Sequence, residues 1–335
     1  MGLFSKKEDE FGLPEEGHGK RNGTVVAIVF ILLAVWALAF YWSREPDVFW
    51  VKDSVAGEQK TIGYASTDAL MTAMNTLLDK PGGYLSNDIM PPSVFLDNIP
   101  SFEYGAVIQI RDFARAMRND FTRSQSQSIE DPDLAIAEPA FNFNHTSWIF
   151  PRTEAEYSKG VAALERYRER LVDGDAEFFA RADNMRNWLS IVEKRLGDLS
   201  QRLTASVGQR RVNINLANDP AATATDKEAQ DVMVKTPWLE IDDVFYEARG
   251  SAWALIHFLR AVELDFQSVL KDKNATVSLR QVIRELEASL NPVWSPIILN
   301  GSGFGLFANH SLVMASYLSR ANAAVIDLRE LLDQG

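Results

Sequence analysis

The chain has 335 residues, with 34 Lys and Arg against 46 Asp and Glu, a net charge of −12, and no cysteine. The acidic excess argues against nucleic acid and anionic headgroups as electrostatic partners. The absence of thiols excludes disulfides, cysteine nucleophiles and Cys-ligated zinc, and suits an oxidising compartment where stray pairing is a hazard.

Residues 1–23 are polar, contain five glycines and read as a disordered cytoplasmic tail. Thr24 to Trp42, TVVAIVFILLAVWALAFYW, then runs for nineteen residues without charge, Pro or Gly. As a helix it is about 28 Å long, close to the roughly 30 Å hydrocarbon core of a bilayer. Eleven of its residues are Val, Ile, Leu or Phe, each favouring insertion by about 0.3 to 0.6 kcal/mol near a helix centre. One transmembrane helix over 24–42 is expected, with the lipid bilayer as its partner. Lys20 and Arg21 stand before it, while Trp36, Tyr41 and Trp42 crowd its other end. The basic flank keeps the tail in the cytoplasm, and the rings favour the opposite headgroup layer. The rest of the chain is thereby exported. Ala37 and Ala39 also fit a signal-peptidase site, but Phe40, Tyr41 and Trp42 continue the apolar run past it, so the anchor reads as uncleaved.

Beyond the anchor the apolar spacing is helical. Ser66 or Thr67 is placed to cap a helix that Pro81-Gly82-Gly83 ends. Val107, Ile110, Ala114, Met117 and Phe121 form a short stripe. Thr122 to Arg152 starts with SQSQS and then carries Phe141, Phe143, Trp148 and Phe150, which water solvates poorly, so this segment is expected to dock on the body. A helix follows over Thr153–Val172, and Asp173-Gly174 marks a kink or a tight hairpin. Asp175 is placed to cap a long helix to Val207, with the stripe Phe178, Ala182, Met185, Leu189, Val192, Leu196, Leu199 and Leu203. Gly208 to Thr236 has little apolar content and reads as a flexible loop. Pro237 suits the first turn of the next helix, whose stripe is Ile241, Phe245, Ala248, Ala252, Leu255, Leu259, Val262, Phe266 and Val269. Leu279, Ile283, Leu286 and Leu290 keep the same step, as do Met314, Leu318, Ala321, Val325, Leu328 and Leu332.

Each stripe covers one narrow face, and such a face is buried efficiently against another helix. The fold class is therefore all-α: one N-terminal transmembrane helix and an exported helical bundle. Its halves are 43–207 and 237–335, joined by the 208–236 loop. No alternating run is long enough to require a sheet.

Signals for chemistry are sparse. His18, His145, His257 and His310 are far apart in sequence, and no HExxH occurs. His257, between Ile256 and Phe258, fits a core or groove position. Glu240, Asp243 and Glu247 share a helix face, which suits a cation or acid-base work but equally a solvated or salt-bridged face. Gly301, Gly303 and Gly305 in NGSGFGLFANHS precede a helix as in phosphate loops, yet no strand leads in and no Lys follows; Phe304 and Phe307 argue for a close-packed turn. No catalytic, metal or cofactor-binding residue is assigned, and no cofactor is expected.

Four blocks carry a resemblance: GYLSNDIMPP at Gly83–Pro92, SQSQSIED at Ser124–Asp131, WLEIDDVFYEARG at Trp238–Gly250, and LNGSGFGLFANHSLVMASYLSRANAA at Leu299–Ala324. With the anchor, they resemble an uncharacterised family of proteobacterial inner-membrane proteins with a domain of unknown function. The resemblance implies a bacterial inner membrane and a periplasmic domain, and brings no reaction or catalytic residue. The reading is a non-enzymatic envelope scaffold or interaction module, with another envelope protein as partner and homo-oligomers as an option. The alternative is a cell-envelope hydrolase using Asp242, Asp243 or Glu247 with His145 or His310, which requires those side chains to converge.

Overall fold

A computed structural model describes residues 18–52, 60–124, 129–212, 231–295 and 297–334. Its first element, α1 (His18–Trp42), starts six residues ahead of the apolar run, so Lys20 and Arg21 lie in the helix and not in a tail. The window Gly23–Trp42 has mean hydropathy 2.7 and none of it is buried. It is the helix, among the described residues, that is long and apolar enough to cross a membrane.

The body comprises α2 (Tyr64–Asp79), α3 (Asn98–Ala116) with a π-turn over Met117–Phe121, α4 (Leu134–Phe141), α5 (Thr153–Asp173), α6 (Ala182–Thr204), α7 (Ile241–Asp265), α8 (Gln267–Asp272), α9 (Thr276–Ser289) and α10 (His310–Asp333). Helix α7 is the axis, touching α2, α3, α6, α9 and α10; α10 fills the gap between α6 and α9, and α5 backs α2 and α4. Both halves of the sequence contribute to one apolar core.

The stripes on α6, α9 and α10 are buried as the 4-3 spacing predicts. Helix α7 departs from the narrow-face expectation. Trp253 through Leu259 are all buried, a full circumference, because helices surround it. Its closest neighbour is α3. A Cβ on Gly250 would sit 1.8 Å from the Phe102 carbonyl oxygen, and one on Gly105 would sit 1.9 Å from that of Glu247. The two backbones touch through reciprocal glycines, and Ser251 Oγ donates to the Gly105 carbonyl at 3.0 Å.

Three local expectations are overturned by contacts distant in sequence. Helix α2 begins at Tyr64 after Gly63 (φ 91°), and neither Ser66 nor Thr67 caps it. Asp265, at the end of α7, does so instead, accepting from Gly63 N at 2.9 Å and Ser66 N at 2.7 Å. Asp175 caps no helix: Gly174 (φ 83°) stops α5, and α6 waits until Ala182. In between, Phe178 wedges between Phe121 and Phe266 (centroids 5.5 and 5.7 Å), and Phe179 N donates to the Phe121 carbonyl at 2.6 Å. Packing that ring on the core outweighs the nearly two further helical turns that residues 176–181 would add. The 208–236 segment also carries structure at its ends, where β1 (Gln209–Val212) pairs antiparallel with β2 (Asp231–Val234), Gln209 opposite Val234. Residues 213–230 lie outside the described residues.

The 122–152 segment contains α4 and docks only in part. Arg111 holds it, donating to the carbonyls of Phe141 at 2.8 Å and Phe143 at 2.7 Å. Phe141 is buried and Phe143 packs on the core, whereas Trp148 and Phe150 stay exposed at the loop tip. Of SQSQS, residues 125–128 lie outside the described residues.

Candidate functional site

The segment leaving α1 is strapped along α7. Glu45 pairs with Arg249 (both contacts 2.7 Å), the Asp47 carbonyl accepts from Trp253 Nε1 at 3.2 Å, and Phe49 N donates to His257 Nε2 at 3.0 Å. The Phe49 ring also stacks on the imidazole at 3.7 Å. Every second residue of the strap meets every fourth residue of the helix. The registers match because two extended residues rise about 6.6 Å and four helical residues about 6.0 Å.

Arg249 is the fixed point. It is buried, and its remaining N–H groups donate to the carbonyls of Ser289, Leu290 and Asn291 at 3.1 to 3.2 Å, so all five donors are used. Those carbonyls close α9, where a cation is also favoured by the helix dipole. The strap, α7 and the end of α9 are thus joined by one guanidinium. A second buried pair stands nearby: Lys80 Nζ lies 2.7 Å from Glu103 and donates to the Gly83 carbonyl, while Glu103 accepts from Leu85 N and Ser86 N. Burial pushes the Glu103 carboxyl up, against the pull of Lys80.

Beside the strap lies a cleft of about 390 Å³ whose walls include Phe245, Arg249, Trp294, His310, Val313 and Tyr317. A second cavity of about 640 Å³ shares Arg249 and lies under Ser43–Val48. The walls of the first are mostly apolar with a few polar atoms, the character of a binding cleft, whereas the second is the more polar of the two.

Histidine 257 is fully buried, and burial lowers its pKa to about 3, so the ring is neutral and able to accept from Phe49 N. At the other end of α7, burial raises the Asp265 carboxyl to about 6 against the amides it caps.

The residues proposed for hydrolysis are scattered among other partners. Glu247 forms a fork with Arg202 (2.7 and 2.6 Å), Asp243 accepts from Ser101 Oγ at 2.9 Å, and Asp242 stands in the first turn of α7. His145 lies against Tyr104 (4.8 Å), with its pKa lowered by burial and then by Arg111. His310 lies against Phe245 (6.4 Å) and its Nδ1 accepts from Leu299 N at 3.2 Å. Their hydrogen bonds and ring contacts lead to these neighbours and not to one another. Among the described residues no cluster of His, Asp and Glu has the geometry of a metal site. The glycine loop is held by Gly301 N donating to the Ala308 carbonyl at 3.0 Å, and a Cβ at Gly301 would meet the Phe307 carbonyl at 2.1 Å. The turn is tight, but Phe304 and Phe307 point outward, not into it.

Along α1 and just after it, Trp36 stacks on Phe40 at 6.3 Å, Arg44 lies over the Tyr41 ring at 5.7 Å, and Trp42 packs across Gly82. Thr24 is within α1. Sequence reasoning missed the strap. Its signal was Arg249, Trp253 and His257 at a step of four on an otherwise apolar helix, three side chains able to donate or accept on one line.

No curated protein and no solved structure matches the chain. A family model described as an uncharacterized protein conserved in bacteria matches residues 16–335, and the chain therefore belongs to that family, DUF2333.

Proposed function

We propose that this chain is a single-span protein of the bacterial inner membrane, with its N-terminus in the cytoplasm and its helical body in the periplasm. There it serves as a non-enzymatic scaffold that docks another envelope protein. The observation that carries this reading is the strap. A free tether would let the body tumble, whereas Glu45, Asp47 and Phe49 bind it to α7 directly after α1 ends. The cleft beside the strap is thereby held at a fixed height above the bilayer, and its apolar walls with Arg249 and His310 fit an apolar segment of a neighbouring protein.

The test is a photo-crosslinking amino acid placed at Val313, in the cleft, or at Val277, at the start of α9, in cells. One reproducible adduct from Val313 and none from Val277 supports docking there. Equal patterns at the two sites refute it. A reporter fused after residue 335 decides the topology separately: activity in the cytosol overturns the periplasmic assignment.

A further inference from the structure

The exposed aromatic side chains of the body are not scattered. Outside α1 and the strap, the Phe and Trp side chains exposed among the described residues are Phe95, Trp148, Phe150, Trp238, Trp294, Phe304 and Phe307. All of them lie on loops at the end of the bundle where α1 departs. The turn Ser93–Phe95 touches α1 itself. Ser147, beside Trp148, accepts from Asn87 Nδ2 at 2.9 Å, which places the 148–150 tip next to that turn. Trp238 heads α7, whose Asp243 is bonded to Ser101 at the start of α3. The loop carrying Trp294, Phe304 and Phe307 springs from the α9 terminus that Arg249 ties to Glu45, three residues past Trp42. At the opposite end the exposed apolar residues are single aliphatics such as Ile62, Val172 and Val277.

We propose that this ring of aromatic loop tips is a second membrane-contact surface, seated in the headgroup and upper acyl layer around the point where α1 enters the bilayer. This rests on the reading of α1 as a membrane span. Trp rings, with their N–H, favour the headgroup level, and Phe rings the acyl boundary just beneath it. The tips are continuous with the exit of α1, which itself carries Trp36, Tyr41 and Trp42 toward the same level. Charge does not supply the attraction, since Asp97, Glu240 and Asp242 stand among the tips. The surface therefore suits zwitterionic lipid, and anionic lipid adds nothing to it.

Because the chain lacks cysteine, single sites can be labelled in the full-length protein. Phe304→Cys, Phe95→Cys, Val277→Cys and Leu33→Cys would each carry an environment-sensitive fluorophore in phosphatidylcholine proteoliposomes containing nitroxide lipids. All four positions are exposed, so labelling leaves the core intact. Leu33 is expected to be quenched by deep nitroxides. Phe304 and Phe95 should be quenched by headgroup and upper-chain nitroxides at least about twofold more than Val277, with no increase on adding phosphatidylglycerol. If Leu33 is quenched while the two tips behave like Val277, the anchor stands and the second surface is refuted. If Leu33 is not quenched, the span fails and the proposal with it. Energy transfer between tips of two copies, without lipid quenching, assigns the ring to a homo-oligomer and likewise overturns it.

Discussion

Replacing Gly250 with Ala tests the axis of the fold with a single methyl group. The added carbon would stand 1.8 Å from the Phe102 carbonyl oxygen, and ordinary contact begins near 3.4 Å, so α3 and α7 must part by the difference, 1.6 Å. Neither atom is the end of a flexible side chain: the carbonyl oxygen belongs to the α3 backbone and the added carbon is fixed directly to that of α7. Parting them pulls on the rings beside the crossing, Phe102 against Trp253 at 6.0 Å and Phe113 against Phe258 at 4.5 Å. It also stretches the bond from Ser251 to the Gly105 carbonyl. A gap of about 1 Å already forfeits a quarter to a half of a dispersion contact, and overpacked cores lose about 1 to 3 kcal/mol. With a hydrogen bond worth about 1 kcal/mol added, Gly250→Ala is expected to cost about 2 to 4 kcal/mol.

The assay is guanidinium unfolding of the full chain in detergent, followed through the buried Trp188 and Trp253. Gly197→Ala is the matched control. Its Cβ would meet only Asn322 Nδ2 at 3.6 Å, so the same substitution in α6 should stabilise by about 0.5 to 1 kcal/mol through helix propensity. Opposite signs at the two glycines are the expected result. A Gly250→Ala midpoint within error of the parent would refute the account of close approach.

Glu103→Ala leaves Lys80 buried without its carboxylate and strips Leu85 N and Ser86 N of their acceptor, an expected cost of about 3 to 5 kcal/mol. The double variant Lys80→Met/Glu103→Leu should regain most of that in the same unfolding assay. Arg249→Met frees the strap; with Glu45 partly exposed, about 2 kcal/mol of local stability is expected to go, and trypsin should cut after Arg44 more than about tenfold faster. The pH dependence follows from two groups on α7. His257, near 3 in the fold against an ordinary 6.5, contributes fully above 6.5 and loses about 5 kcal/mol as pH falls through 3, because only the unfolded chain takes the proton. Asp265, near 6 against 3.8, contributes fully below 3.8 and loses about 3 kcal/mol as pH rises through 6. Their slopes oppose between about 4 and 6, so the contributions of these two groups nearly cancel there. Asp265→Asn should unmask a fall of about 1.4 kcal/mol per pH unit on acidification; denaturant midpoints at pH 4, 5 and 6 that stay parallel to the parent would contradict this.

What the sequence revealed and concealed divides by the range of the forces. The stripes of α6, α7, α9 and α10 were legible because a 4-3 repeat is a local pattern that core burial rewards wherever the helix ends up. Helix ends were less so. Asp175 has the residue type of a cap, but Phe178 fills the space between Phe121 and Phe266, and a distant ring contact decides where α6 starts. Ser66 and Thr67 have that type too, yet the cap is Asp265, about two hundred positions away. The strap left no trace in its own segment, which looks like any linker; its signal lay on α7, in Arg249, Trp253 and His257 at a step of four.

The strap also explains why one end of this protein is so different from the other. Three buried charged groups at the α1 end are held by fixed partners: Arg249 by Glu45 and three carbonyls, Lys80 by Glu103, and Glu103 by two amides. Such pairing stabilises little by comparison with an apolar core but tolerates few alternative arrangements, so it fixes pose more than it adds stability. Apolar rings on the loops around those pairs are left open to solvent. In a body that floated free, that combination of rigid interior and greasy rim would invite aggregation. If α1 spans a membrane as proposed, it is the arrangement expected of a surface whose missing partner is always at hand.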